Sequence, residues 1–358
     1  MHLITLAWDV DRPGEPDPAV LRTAGALTAA GHSCEVITLG TGPTSTRALA
    51  GVDVTWVAEA APVLPPDAAY DTARVLAVAT RASAAAEQRA QRRAPDAVIA
   101  HGWQTTWTAT TLRSSRGVPI VAVLDSTAPG RADGDLDDLG RHAAQVEWWL
   151  TYEARRVVAP STHVARDLRR SYRLPTAKVD VVRPGVDPVA PVAAATDVLV
   201  AAPDAVVRAV RRAVGPTRVT TDRGEVSTCA VAVVLDDDAS TALQAMAAGS
   251  VVVLDEHGPL RELVHARRSG LRTPLAADAV VATVQALLAD PDRRRRLGER
   301  ARRRVAERHD RDTVVGQLAD VCERAVAEEA ELRSGTPEHP PLRPLLLRSP
   351  MLGLVADD

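Results

Sequence analysis

The chain of 358 residues contains no phenylalanine, no asparagine and a single lysine, Lys178. Codons for these residues are AT-rich, so their scarcity, with the excess of Ala, Val and Arg, indicates a GC-rich genome, as in a high-GC bacterium. No apolar run approaches the roughly 20 residues that a membrane span needs. The first ten residues read as a strand with no basic segment, so we expect no signal peptide and a cytoplasmic protein.

A surplus of charge is also absent. The chain has 43 Lys and Arg against 46 Asp and Glu, for a net charge of -3, which argues against nucleic acid or an anionic membrane as a partner. Cys34, Cys229 and Cys322 are scattered, with neither an even number nor the spacing of metal ligands. We therefore expect reduced thiols and no bound metal.

Strand and helix patterns alternate along most of the chain. Short apolar runs at 2–8, 96–100 and 251–254 are predicted strands, and amphipathic or Ala-rich segments between such runs are predicted helices. Repeated strand–helix units predict doubly wound parallel sheets with right-handed crossovers. Proline and glycine punctuate 183–188, where we place a linker between two α/β domains.

One segment, 242–270, combines several signals. A helix of small residues ends at Gly249, an uninterrupted apolar strand follows, and a turn containing Gly258 and Pro259 is predicted to open a second helix, 260–266. The uninterrupted strand indicates burial on both faces of a sheet. Free N–H groups at the start of the second helix would suit an anionic ligand.

Several motifs together resemble the family-4 glycosyltransferases over about two thirds of the chain. They are PDAVIAHGWQTTW at 95–107, GVPIVAVLDSTAPGR at 117–131, VEWWLTYEA at 146–154, KVDVVRPGVDP at 178–188 and the segment 242–270. The VEWWL motif is similar to that of the glycogen-synthase-like branch, which makes α-1,4-glucans. The resemblance implies the GT-B fold: two Rossmann-like domains with parallel sheets and a cleft between them.

The resemblance also implies the domain plan. We expect an N-terminal, acceptor-side domain at 1–185 and a shortened C-terminal, nucleotide-sugar-side domain at 186–309. A last helix at 310–333 is expected to cross back to the first domain, followed by a Pro- and Leu-rich tail at 334–358. The second domain is called shortened because a whole strand–helix unit of the family pattern is missing from it.

Candidate site residues follow from the matched motifs. His101, which comes directly after a buried strand, matches a family histidine that contacts the donor sugar, although a polar tip on a loop is the alternative. An acidic loop at 236–238 and Gln244 stand at the spacing of the two family glutamates. The residues predicted for the site are His101, Asp236 and Asp238 as catalytic groups, Gln244, Gly258, Pro259 and Leu260 for the donor, and Trp8 and Arg131 on the acceptor side.

The donor motifs depart from the family pattern. Gln244 replaces a glutamate, and the Arg and Lys that grip the diphosphate have no clear counterpart. Arg208, Arg211 or Arg212 could substitute, but helix arginines more often form a solvated face. The loop after Trp8 has one glycine and several acidic residues, which disfavours a diphosphate. We therefore expect weak donor binding.

Aromatic residues in the first half have two interpretations. Trp103 and Trp107 could form a sugar platform, but their spacing favours packing in the core. Trp148 and Trp149 are expected in the core or between the domains, and Glu147 and Glu153 are expected to lie on a helix surface or in structural ion pairs rather than to be catalytic.

Three functions fit this pattern. The first is retaining transfer of a hexosyl group from a nucleotide sugar to a sugar or small-molecule acceptor, with the nucleotide sugar as co-substrate and no cofactor. The second is a degenerate GT-B protein that acts as partner or regulator of another enzyme. The third is another chemistry on a nucleotide or sugar-phosphate ligand in the same cleft.

Overall fold

The structure is a computed structural model that describes residues 1–8, 14, 16–58, 72–132, 134–187, 189–190, 196–236 and 238–335. Predictions that concern the loop 9–13 with residue 15, Asp71, Pro188, Asp237 and the tail after Gly335 lie outside these residues. None of the described helices is long and apolar enough to cross a membrane.

Strands form mostly where the sequence has short runs rich in Val, Ile and Leu, which suit a pleated surface buried on both faces. They are β1 (His2–Leu6), β2 (Ser33–Gly40), β3 (Ser45–Leu49), β4 (Val52–Ala58), β5 (Ala97–His101), β6 (Ile120–Val123), β7 (Arg156–Ala159), β8 (Val179–Val181), β9 (Val198–Ala201), β10 (Val219–Thr220), β11 (Val231–Val234), β12 (Val251–Asp255) and β13 (Leu271–Thr273).

Helices occupy the amphipathic and Ala-rich segments between these strands. They are α1 (Pro18–Ala29), α2 (Thr72–Arg92), α3 (Thr106–Arg116), α4 (Ala128–Arg131), α5 (Asp138–Glu153), α6 (Thr162–Tyr172), α7 (Asp204–Ala213), α8 (Ala239–Ala248), α9 (Ala277–Ala289), α10 (Pro291–Arg308) and α11 (Arg311–Gly335). Short 3-10 helices cover Trp103–Thr105, Thr176–Lys178, Arg223–Thr228 and Pro259–Leu263.

Within the described residues, β1 to β8 form one eight-stranded sheet in the order β3-β4-β2-β1-β5-β6-β7-β8. All neighbours are parallel except β3 and β4. Helices α2, α3, α5 and α6 pack their apolar residues on one face, and α1 and α11 pack on the other. The sheet is therefore covered on both sides, as the sequence predicts.

A second sheet holds the remaining described strands in the order β10-β9-β11-β12-β13, all parallel. Apolar residues of α8 and α10 cover one face, and those of α7 and α9 cover the other. Two sheets, the first parallel apart from its β3 edge and the second wholly parallel, are each covered by helices on both faces and give the α/β architecture with two Rossmann-like units that the sequence predicts. The exact boundaries at residues 185 and 309 stay predictions.

The chain passes between the two sheets at two adjacent places. The N–H of Val186 donates to the carbonyl of His309 at 2.9 Å, and Nδ1 of His309 lies 2.9 Å from the carbonyl oxygen of Pro184. After this point α11 packs on the first sheet, where Glu329 pairs with Arg113 and Arg155 at 3.3 and 2.7 Å. Helix α11 thus joins the C-terminal end of the described chain to the first sheet.

Gly298 and Gly249 allow α10 to approach α8 closely. A Cβ atom on Gly298 would stand 1.8 Å from the carbonyl oxygen of Gly249, which ends α8 with φ +86°. We expect Gly298→Ala to destabilise the fold by at least about 1–3 kcal/mol, because backbone must move to admit the methyl group. Gly316→Ala in α11 is the matched control. A Cβ atom on Gly316 meets no described residue within 4 Å, so a gain of about 0.5–1 kcal/mol is expected. Urea unfolding of both variants tests this pair of predictions. A midpoint of unfolding that is unchanged in Gly298→Ala would contradict the close contact between α10 and Gly249.

Candidate functional site

Three neighbouring strands of the first sheet end at one edge. Strand β1 lies next to β5, and β5 lies next to β6. At their carboxyl ends stand Trp8, His101 and Asp125, and ligands of parallel sheets bind at this edge. Two of these residues were predicted for the site. Asp125 was not, although its place two residues after the apolar strand β6 repeats the pattern that pointed to His101.

A cavity of about 500 Å³ opens at this edge, and the 3-10 helix 103–105, the loop after β6, α4 and α5 form its walls. Its polar wall includes Gln104, Asp125, Ser126, Arg131 and Asp137. Gly102, which follows His101 directly, lines the cavity with φ +73°, a conformation that favours glycine. The cavity is thus large enough for a small polar ligand such as a sugar ring.

Ionisable groups meet beside this cavity. Burial lowers the pKa of His101 to about 4, against an opposing effect of the Asp17 carboxylate, so the imidazole is neutral at neutral pH. Burial raises the pKa of Asp125, and the charge of Asp17 raises it further. The Asp17 carboxylate itself accepts a hydrogen bond at 2.7 Å from the N–H of Ala19 and caps α1. The Asp17 carboxylate therefore acts on both the His101 imidazole and the Asp125 carboxyl group, next to the cavity.

Glu147 holds the outer wall in place. Its side chain is 1% exposed and accepts a hydrogen bond at 2.7 Å from the N–H of Ala128, which begins α4. It also pairs with Arg131 at 2.7 Å and accepts a hydrogen bond from the hydroxyl of Tyr172. Burial, followed by the nearby Glu147 carboxylate, raises the pKa of Tyr172. The predicted acceptor-side residue Arg131 therefore lines the cavity, held by Glu147 and by Ser126 at 2.9 Å.

The aromatic residues separate into core and surface. Trp8 is buried in the core of the first sheet, and its Nε1 atom has no hydrogen-bond partner among the described residues. Trp103 is buried but lines the cavity. The expectation that Trp148 is in the core or between the domains is wrong: 48% of it is exposed, and it stacks on exposed Tyr152. Trp149 instead contacts Trp107 edge to face, with ring centroids 5.9 Å apart.

The acidic loop of the second sheet follows β11. Asp236 and Asp238 both pair with one cation, Arg223, which begins the 3-10 helix 223–228. Asp238 also caps α8 through Thr241, whose hydroxyl donates at 2.6 Å. Burial acts to raise the pKa of Asp238, but hydrogen bonds from Thr241 and Arg223 outweigh it and leave the pKa below its ordinary value. In the acidic loop, Asp236 and Asp238 therefore form a charged cluster in which their carboxylates are paired with Arg223.

Arg223 is the cation that sequence reasoning missed. It comes from a 3-10 helix that precedes β11, and nothing in its local pattern distinguishes it from the other arginines. The three arginines considered from the sequence, Arg208, Arg211 and Arg212, are exposed on α7. Lys178 donates to the carbonyl of Tyr152 at 2.9 Å, in the first half of the chain.

The segment predicted to bind the donor, at 258–266, does not form the helix that the sequence predicts. No α-helix covers 260–266; residues Pro259–Leu263 form a five-residue 3-10 helix, and Val264 is buried and extended. A single 3-10 turn lacks the aligned peptide groups of a longer helix, so the expected helix N-terminus for an anion is absent here. Gly258 stands before this turn in an extended conformation. Leu260 packs against the apolar core between the second sheet and helices α8 and α10. Gln244 is half-buried on α8, and its Nε2 atom donates to Ser240 at 3.2 Å.

The carboxyl edges of the two sheets approach each other near this segment. Thr162, at the start of α6 after β7, donates to the Glu262 carboxylate from its N–H at 3.1 Å and from its hydroxyl at 2.5 Å. Glu262 lies in the 3-10 helix that follows β12. The edge that carries His101 and the edge that carries Gly258 therefore belong to the same interface between the halves.

Comparison with known proteins agrees with this architecture. Residues 19–189 match the model of Glycosyltransferase Family 4, and residues 232–320 match that of a glycosyl transferase-like domain, together more than two thirds of the chain. The chain belongs to the family-4, GT-B glycosyltransferases. Glycogen synthase of Mycobacterium tuberculosis is 30% identical over 94 residues, 26% of this chain and 23% of that protein. The matched segment thus spans about a quarter of the curated relative, and the predicted α-glucan branch stays a prediction.

Solved structures of other proteins share this fold. Sucrose-phosphate synthase of Thermosynechococcus elongatus superposes with a TM-score of 0.76 at 17% identity, covering 91% of this chain and 99% of that one. HepE of Anabaena, in complex with UDP and glucose, gives a TM-score of 0.68 at 14% identity, covering 90% and 100%. At these identities the likeness concerns the fold alone.

Proposed function

We propose that this glycosyltransferase transfers a hexosyl group from a nucleotide sugar to a hydroxyl of a sugar or small-molecule acceptor, with retention of configuration. The observation that carries the proposal is the cavity beside His101 and Asp125, on the edge of the first sheet that faces the second. HepE, which shares the fold, is described with UDP and glucose bound, and this supports a nucleotide sugar as donor.

The acceptor fits the cavity of the first half. Gln104, Ser126 and Asp125 offer hydrogen-bonding groups for its hydroxyls, and Trp103 offers an apolar wall. His101, kept neutral by burial, is suited to exchange a hydrogen bond with a hydroxyl of the donor sugar. The bond from C1 of the sugar to the diphosphate breaks as the acceptor oxygen bonds to C1, and the hydroxyl proton leaves with the diphosphate.

Arg223 supplies the cation that the departing diphosphate needs. Its side chain is 47% exposed and its guanidinium is held by Asp236 and Asp238, so a diphosphate would compete with these carboxylates. Gln244 can still hydrogen-bond a ribose hydroxyl through its amide. Gly258, Pro259 and Leu260 would border the donor. We propose no metal ion in the reaction and assign the compensation of the leaving group's charge to Arg223.

A degenerate protein that regulates another enzyme is the second candidate. The pairing of both predicted catalytic aspartates with Arg223, and the neutral Gln244, favour it. In that case the purified protein has no turnover, and a pull-down from the native host recovers an active glycosyltransferase in stoichiometric amount.

Calorimetry with a panel of nucleoside diphosphate sugars, followed by turnover with the donor that binds, tests the proposal. Arg223→Gln should weaken donor binding by about 10- to 150-fold, the loss of one charge-assisted contact of about 1.5–3 kcal/mol. Arg211→Gln, an exposed arginine on α7, should leave it unchanged. The anomer of the product, read by NMR, tests retention. Absence of both binding and turnover rejects the proposal.

A further inference from the structure

A second depression, of about 220 Å³, lies on the second half between the last turns of α10 and the turn that follows the 3-10 helix 259–263. Its lining is dominated by arginine side chains. The residues that matter here are Arg268, Arg300, Arg303, Arg304 and Arg308, with Glu307 beside them. We call this feature the arginine depression.

The positive charge of the arginine depression is poorly compensated. Among the described residues, no carboxylate forms an ion pair with Arg268, Arg300, Arg303 or Arg308, whereas Arg113 and Arg155 elsewhere share Glu329. Arg304 donates instead to the carbonyls of Leu263 and Glu262, at 2.6 and 3.0 Å.

Repulsion among the arginines of the depression contributes to the lowered pKa values of Arg304 and His265. Burial lowers the pKa of Arg304, and the nearby Arg308 and Arg183 lower it further, against an opposing effect of Glu307. Arg304 is the main cause of a lowered pKa at His265, which also lines the depression. A group of cations that repel one another in this way is stabilised when an anion binds among them.

The side chains and the volume of the arginine depression indicate which class of ligand fits it. Guanidinium groups match phosphate oxygens with two parallel hydrogen bonds, which makes arginine suited to phosphate recognition. The volume equals that of roughly seven liquid water molecules, enough for a phosphate group with a small attached part.

An anionic membrane would need a different surface, with apolar side chains to insert. Among the described residues, none of the exposed large apolar side chains lines this depression. The surface is also concave, because charged side chains from two segments surround it. Both features favour a discrete anion.

We propose that the arginine depression is a binding site for a phosphorylated small molecule, separate from the cavity beside His101. It is independent of the proposed transfer reaction, because no residue of that site lines it.

The test is calorimetric titration of the full chain with inorganic pyrophosphate at low salt. Arg300→Gln with Arg303→Gln should weaken binding about 100-fold, since each charge-assisted contact is worth about tenfold or more. Both side chains are exposed, so the fold should persist, as circular dichroism checks. The control removes the same charge earlier on α10, with Arg295→Gln and Arg296→Gln, and should leave affinity unchanged.

Other outcomes overturn the proposal. Lack of pyrophosphate binding by the unaltered protein, or equal binding by the Arg300/Arg303 variant, rejects the site. Loss of binding in Arg223→Gln alone shows that pyrophosphate occupies the donor side instead. Flotation with phosphatidylglycerol vesicles that depends on Arg300 and Arg303, in the absence of pyrophosphate binding, makes the surface a membrane contact.

Discussion

Replacing His101 with alanine should reduce transfer by about 100- to 1000-fold while the fold persists. His101 stands at the carboxyl end of β5, next to the cavity, and the residue is half-buried. Loss of one group that binds the reacting sugar typically costs a factor of this size in kcat. A residue at a strand end contributes little to core packing, so the free energy of unfolding, measured in urea, should change by less than about 1 kcal/mol.

The matched control is His32→Ala. His32 precedes β2 and stands at the opposite, amino edge of the same sheet, so transfer should be unaffected. Unchanged kcat/KM in His101→Ala, measured with the donor found by calorimetry, would remove His101 from the site.

The pH profile gives a second readout of the same residue. Because burial lowers the pKa of His101 to about 4, its imidazole stays neutral from about pH 5 upward. Protonation of His101 should therefore cause no fall in kcat/KM between pH 8 and about pH 5.5. An acid limb near pH 6.5 that disappears in His101→Gln would show that the imidazole is solvated and contradict the buried site.

The sequence predicts the sheets well because buried strands carry an unbroken apolar signal. Strands β5 and β12 have nearly every residue buried, and both were predicted within a residue of their bounds. Strand β3 was missed, because all five of its residues, Ser45 to Leu49, are exposed at the antiparallel edge of the first sheet. Such an edge strand has no buried face, so it leaves no hydrophobic pattern to read.

The candidate site was predictable only in part, because the sequence shows buried strands but not contacts between residues that are distant along the chain. His101 could be found because its neighbours in sequence form a buried strand. Arg223 reaches Asp236 and Asp238 across 13 and 15 residues, and only the three-dimensional fold shows that contact. The helix predicted at 260–266 failed because Leu263 and Val264 turn into the core, and this packing outweighs local helix preference.

Replacing Glu147 with alanine should lower the free energy of unfolding by about 3–5 kcal/mol. The change leaves two buried donors, the N–H of Ala128 and the hydroxyl of Tyr172, without their acceptor. Each unsatisfied buried donor costs about 1–3 kcal/mol, and Arg131 loses its carboxylate partner but keeps Ser126. Because Glu147 fixes the start of α4, the wall of the cavity should loosen too, and KM for the acceptor should rise.

Glu153→Ala is the matched control on the same helix, α5. Glu153 is 32% exposed and contacts Arg113 at 3.4 Å, the geometry of a surface ion pair worth about 0–1 kcal/mol. Urea unfolding of both variants should therefore separate a buried acceptor from a solvated one. If Glu147→Ala does not fold, Glu147→Gln keeps an acceptor for Tyr172 and should lose only about 1–2 kcal/mol. Equal small losses at both positions would mean that water replaces the carboxylate, and that the wall of the cavity does not depend on Glu147.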